Sequence, residues 1–108
     1  MINKITSRNN KTLEAKLEKR LVEKITNLGG LAWKFTSPGN IGVPDRIIIF
    51  RGLITFVEMK APGKSMRNIQ KFRKEQIERE GFSVMCLNSE EQVDTFVEGL
   101  MKHGIQTT

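Results

Sequence analysis

From Thr12 to Leu28 the chain places Leu13, Leu17, Leu21, Ile25 and Leu28 at successive spacings of four, four, four and three residues, with mostly polar side chains between them. That period lays one apolar stripe along a helix. Thr12 is suited to cap it and Gly29-Gly30 to end it. The pattern then shortens. Leu31 to Thr36, with Trp33 and Phe35, reads as a strand, and the breakers in Ser37-Pro38-Gly39-Asn40-Ile41-Gly42 read as a loop. Two further strand-like runs, Asp45 to Phe50 and Leu53 to Lys60, are separated by Arg51-Gly52 and predict a β-hairpin. Arg-Gly is a weaker turn signal than Asn-Gly, so a longer loop is also compatible. After Pro62-Gly63, Met66 to Glu80 carries Ile69, Phe72 and Ile77 among many charges, an amphipathic helix stopped by Gly81. Phe82 to Leu87 predicts a fourth strand. Ser89 then caps a last helix through Leu100, with Glu90 and Glu91 in the first turn, where the helix dipole favours anions. Val93, Phe96, Val97 and Leu100 form its apolar face. The order α-β-β-β-α-β-α predicts an α/β fold with a four-stranded mixed sheet flanked by helices.

The hairpin has a register that follows from its turn. With Arg51 and Gly52 as the two loop residues, Phe50 faces Leu53 and, counting outward, Asp45 faces Glu58. Directly opposed side chains have Cβ atoms about 4.5–5.5 Å apart, near enough for two carboxylates to share a cation. Alternation puts Lys60 on the same face as Glu58, about 7 Å along the strand. Ile54, Phe56, Glu58 and Lys60 therefore point one way, and Asp45 shares the face of Ile47 and Ile49. Charges at apolar-patterned positions cost free energy unless they are paired or bound to metal. The bland alternative is a Glu58 to Lys60 ion pair at a fraying sheet end, with Asp45 a turn residue after Pro44. The functional one is a hard-metal site, since paired carboxylates suit Mg²⁺, with Mn²⁺ as a substitute. Such a cation polarises a phosphodiester and activates water, while a neighbouring Lys orients that water and steadies developing charge.

Composition narrows the chemistry. The 108 residues suffice for one domain with a small core. A hydrophobic content of 38% is too high for a disordered tail. No apolar run approaches the roughly 20 residues that span a bilayer. One Cys and one His cannot build a disulfide or a structural zinc site. Cys86, in an apolar run, reads as a buried structural thiol, and His103 as a surface residue. The segment Met1 to Lys11 is polar and basic with no secretory pattern, so the reading is a cytoplasmic protein with residues 1–11 as a flexible arm, 12–101 as the single domain and 102–108 as a tail. Lys and Arg total 18 against 12 acids, a net charge of +6 that favours polyanionic partners. The excess is local: Lys60 to Glu80 holds seven basic residues against three acids.

Pro44-Asp45 followed, thirteen residues after Asp45, by Glu58-Met59-Lys60 resembles the PD-(D/E)XK nuclease signature. The wider set Gly29-Gly30, Lys34-Phe35, Ser37-Pro38-Gly39, Gly42-Val43-Pro44-Asp45-Arg46, Phe56 to Lys60, Gln70 and Gly81 is similar to the virus-type replication-repair nuclease domain, VRR-NUC, from about Glu14 to Val97. The resemblance implies a restriction-endonuclease-like α-β-β-β-α-β core plus a C-terminal helix, in a bacterial or phage-encoded protein. It implies Asp45 and Glu58 as metal ligands, the Met59 carbonyl completing the coordination, Lys60 as the catalytic lysine and Gln70 near the substrate. It also implies a glutamate on the first helix. Glu14 lies inside the apolar arc of the wheel and matches the family's Glu-x-x-apolar pattern; Glu18, one turn on, lies at the edge and is the alternative.

Lys34, Arg46, Lys64, Arg67, Lys71 and Lys74 are the candidate DNA contacts, although a solvated helix face is the commoner meaning of such a run. No base-reading module is present, which points to recognition by backbone and shape. The leading expectation is a Mg²⁺-dependent endonuclease on branched DNA, Holliday junctions foremost, acting as a homodimer because paired cuts need two active sites. Flaps, duplex and single strands are the other substrates within the class. A non-catalytic DNA-binding module is the reading from another class, disfavoured because clustered acids repel phosphate.

Overall fold

The computed structural model describes residues 2–106, with side chains for residues 9–103. Seven elements follow in the predicted order: α1 (Ile2–Asn27), β1 (Leu31–Lys34), β2 (Arg46–Phe50), β3 (Leu53–Met59), α2 (Asn68–Arg79), β4 (Ser83–Leu87) and α3 (Glu90–Gln106). The strands form one sheet in the order β1-β2-β3-β4. The first two pairings are antiparallel and β3-β4 is parallel, so the sheet is mixed. The parallel pair needs a crossover, and α2 supplies it.

Alternation along β3 divides the molecule into layers. Val57 and Met59, with Ile48 and Phe50 of β2, point to a core completed by Leu17, Leu21 and Ile25 of α1, Leu87 of β4, and Val93, Val97 and Leu100 of α3. Leu21 and Ile25 are wholly buried, each stabilising the fold by about 1.5–3 kcal/mol. The stripe read from the sequence is thus the face of α1 on the sheet, except that Leu13 stays 41% exposed. The opposite face, with Ile54, Phe56 and Glu58, is the one α2 approaches. It is only partly covered, and Trp33 and Leu31 of β1 are exposed.

The helix ends correct the sequence reading. Residues 2–11, expected as a flexible arm, are the first turns of α1, and Thr12 lies inside that helix instead of capping it. No Gly or Pro occurs from Ile2 to Lys11, and a helix once nucleated extends at little cost. Likewise α3 runs on to Gln106, through most of the segment expected as a tail. The C-terminal stop of α1 is as expected: Gly29 takes φ +85°, and the N–H groups of Gly29 and Gly30 donate to the Thr26 and Ile25 carbonyls at 2.9 and 3.0 Å. Ser89 Oγ accepts from the Gln92 N–H at 3.1 Å at the start of α3. No helix among the described residues is long and apolar enough to cross a membrane.

Candidate active site

The hairpin turn is the tight one. Phe50 pairs with Leu53, Ile47 with Phe56 and Arg46 with Val57. Arg51 and Gly52 both take positive φ, +48° and +82°, as a two-residue turn matched to strand twist requires. The ladder stops at Arg46, and just beyond it Asp45 lies beside the β3 end: its Oδ2 accepts the Met59 N–H at 3.0 Å. Its carbonyl accepts the Phe35 N–H at 2.7 Å, tying the loop back to β1. The sequence-derived register therefore brings Asp45 to the end of β3 that carries Glu58 and Met59.

Glu58 is 3% exposed. Its Oε2 accepts from Gln70 Nε2 at 2.8 Å and lies 3.3 Å from Lys60 Nζ. The ion pair of the bland reading is thus present, but it does not satisfy the group: Glu58 Oε1 is buried with no partner among the described residues. Burial first, then the charge of Asp45, pushes the Glu58 carboxyl up to about 7, against the pull of Lys60. Asp45 is raised as well, by burial above all, although the Met59 N–H lowers it. An orphaned buried carboxylate oxygen beside a second partly buried acid is a donor set that a cation relieves.

Gln70 is 6% exposed and sits in the first turn of α2. Its Oε1 accepts the Arg67 N–H at 2.8 Å, so one amide caps its own helix and holds Glu58 with its other end.

The first-helix acids separate. Glu18 Oε2 accepts from Arg46 Nε at 2.7 Å, and Arg46 Nη1 donates to the Ala32 carbonyl at 3.3 Å. Arg46, expected among the DNA contacts, is therefore turned inward, its side chain only 14% exposed. The reason is alternation: one residue past Asp45, it faces α1. Glu14 makes no ion pair among the described residues. Its carboxyl is raised by burial, then by Asp45, and lowered by Lys60, so it feels the same cluster. Glu14, Glu18, Lys34, Phe35, Thr36 and Asp45 line a cleft of about 270 Å³. Among the described residues no three His, Cys, Asp or Glu side chains are drawn up closely enough to cage an ion unaided.

Of the other expected cations, Lys34, Lys64, Arg67 and Lys71 are exposed, and Lys74 pairs with Glu78 at 3.1 Å. Cys86, expected to be buried, is half-buried at the position paired with Glu58 on β4. A larger groove, of about 750 Å³ between β4 and α3, is lined by residues such as Met85, Leu87 and Phe96 and lies away from the paired acids. The sequence reading missed the Arg46–Glu18 contact, for which strand alternation was the available signal.

Comparison with known proteins agrees with this architecture. A solved VRR_NUC domain superposes with a TM-score of 0.73 at 32% identity, over 79% of this chain and 94% of that one. "Putative nuclease p44" of Acyrthosiphon pisum secondary endosymbiont phage 1 is 40% identical over 79 residues, 72% of this chain and 85% of the relative. No family model matches the chain. The fold is an α/β, restriction-endonuclease-like nuclease fold. The chain belongs to the VRR-NUC family.

Proposed function

We propose that the protein is a Mg²⁺-dependent endonuclease that hydrolyses DNA phosphodiesters at branch points, Holliday junctions foremost, as a homodimer. The observation that carries the reading is the pairing of the buried Glu58 with the partly buried Asp45 at the hairpin's open end, with Lys60 alongside and Glu58 Oε1 without a partner among the described residues. Asp45, Glu58 and the Met59 carbonyl would hold the ion. Glu14 would stand in support, with water in the remaining positions, as Mg²⁺ prefers. When bound, Mg²⁺ or Mn²⁺ supplies Lewis acidity towards the phosphate and lowers the pKa of water.

The chain's own groups do the rest. Gln70 fixes one oxygen of Glu58 and leaves the other for the ion. Lys60, its side chain only 16% exposed, brings an ammonium to the place where charge develops on the phosphate. Lys34 in the cleft and the exposed Lys64, Arg67 and Lys71 would hold the DNA backbone, giving an affinity that falls with salt. The phage relative, named as a nuclease, supports the same class. Paired cuts across a junction need two copies, and the exposed Leu31 and Trp33 of β1 offer an apolar contact for the second.

The test is cleavage of a synthetic four-way junction, compared with linear duplex, in the presence of Mg²⁺. Paired nicks near the branch are expected. Asp45→Asn and Lys60→Ala should bind the junction and fail to cut it. A variant of either kind cutting at the wild-type rate would overturn the assignment, and equal cutting of duplex would remove the branch preference.

A further inference from the structure

We propose that Ile41 is a wedge that enters the base stack of DNA at a strand discontinuity. The inference rests on the branched-DNA reading above and names the part of the protein that senses the branch.

Ile41 is 74% exposed, more than any other large hydrophobic among the described residues; Trp33 follows at 56%. A lone exposed apolar residue is ordinary on a surface. What distinguishes Ile41 is that the loop beneath it is clamped. Within the loop, Asn40 N–H donates to the Ser37 carbonyl at 2.9 Å, and Asn40 Nδ2 donates to Ser37 Oγ at 2.9 Å. The carbonyl of Ile41 itself accepts from Arg73 Nε of α2 at 2.9 Å. Next to it Gly42, at φ +92°, lies so near α2 that an added Cβ would come within 2.9 Å of Ile69 Cγ1. The loop is thus seated on α2 at two successive residues, and Ile41 remains exposed despite that seating.

Its surroundings define the occupant. Arg73 donates through Nη1 to Gln76 at 2.9 Å, and its guanidinium lies 5.3 Å above the ring of Phe72, which is itself 46% exposed. Lys71 and Lys74 are on the same helix, and Asp45 is four residues further along the chain. An apolar tip whose base is held by a guanidinium, on a helix with a further exposed lysine at Lys71, matches a polymer whose interior is apolar and whose edges are anionic. Stacked bases between phosphates have that character. Inserting an aliphatic side chain into a continuous duplex costs the unstacking of a base step. At a branch the stack is already interrupted, so the same insertion costs less there. A preformed loop adds little ordering cost of its own. Ile41 would therefore favour discontinuous DNA without reading a base sequence, and would set the distance from the break to the carboxylates.

The experiment uses a four-way junction carrying 2-aminopurine at the branch, with Mg²⁺ omitted so that no strand is cut. Wild-type protein should raise the fluorescence as the base unstacks. Ile41→Ser should abolish the rise, and Ile41→Leu, which keeps the apolar volume, should retain it. Affinity of all three for continuous duplex should agree within about twofold, since that binding is set by phosphate contacts. With Mg²⁺ restored, Ile41→Ser should cut the junction about tenfold more slowly than wild type, because the branch is no longer held at a fixed distance from the carboxylates. The wedge is overturned if wild type gives no rise, or if Ile41→Ser gives the same rise as wild type. A protein that unstacks the branch but never cuts keeps the wedge and loses the nuclease; one that cuts without unstacking does the reverse.

Discussion

Gln70 shows how much a single side chain can be asked to do. It is uncharged and nearly buried, yet it holds a helix end and a carboxylate with the two ends of one amide. Outer groups that orient metal-binding carboxylates commonly matter by about 10–100-fold in affinity or rate. Gln70→Ala should accordingly lower cleavage by about that factor and raise the Mg²⁺ concentration needed for half-maximal activity. A Mg²⁺ titration of cleavage rate checks both, and an unchanged midpoint would reduce Gln70 to a cap. The acids at this site were legible because hairpin arithmetic needs only the turn and the alternation of strands. The choice between Glu14 and Glu18 was not: a helical wheel gives angles along one element, whereas Glu18 is engaged by Arg46 from a strand in another part of the chain.

Among the elements, α1 and α3 are joined at the surface by charge as well as in the core. Arg20 donates to both oxygens of Asp94 at 2.9 and 2.8 Å, and Lys24 stands 3.3 Å away. The bond from Arg20 chiefly, and Lys24 after it, draws the Asp94 carboxyl down to about 2. A lowered pKa stabilises the fold above the unfolded value of 3.8, and the benefit fades as pH falls towards 2, because the unfolded chain takes up the proton first. Asp94→Asn should therefore lower the melting temperature at pH 6 and lose that effect near pH 2. Thermal melts of both proteins across this range test it; an offset independent of pH would refute it. Element order and the core faces of α1 and α3 were readable because apolar periodicity records which side of each element is buried. Helix lengths were not. Before Leu13, where the apolar stripe begins and α1 is already exposed, periodicity no longer reports on helix, and continuation depends on the absence of breakers.

For the whole molecule, the site is built at one end of a small sheet, and the described residues hold one such site. The proposed junction cleavage requires cuts in two strands, so under that proposal the active species should sediment at about twice the 12.3 kDa of the chain. Analytical ultracentrifugation with and without junction DNA measures this; a monomer in both would leave single nicks as the expected product. The two-residue turn at Arg51-Gly52 has a consequence of another kind. It serves as the gauge of the site: the separation of the two acids is set by chain length, counted from a bend where no slack is available. A residue gained between β3 and α2 lengthens a surface connection. A residue gained at this bend leaves the site intact only if a longer loop absorbs it; if it shifts the strand pairing by one instead, Asp45 and Glu58 go to opposite faces of the sheet. Such a slip would also turn the core residues of one strand, Ile48 and Phe50 or Val57 and Met59, out of the core, so the count that places the acids is the count that packs the fold.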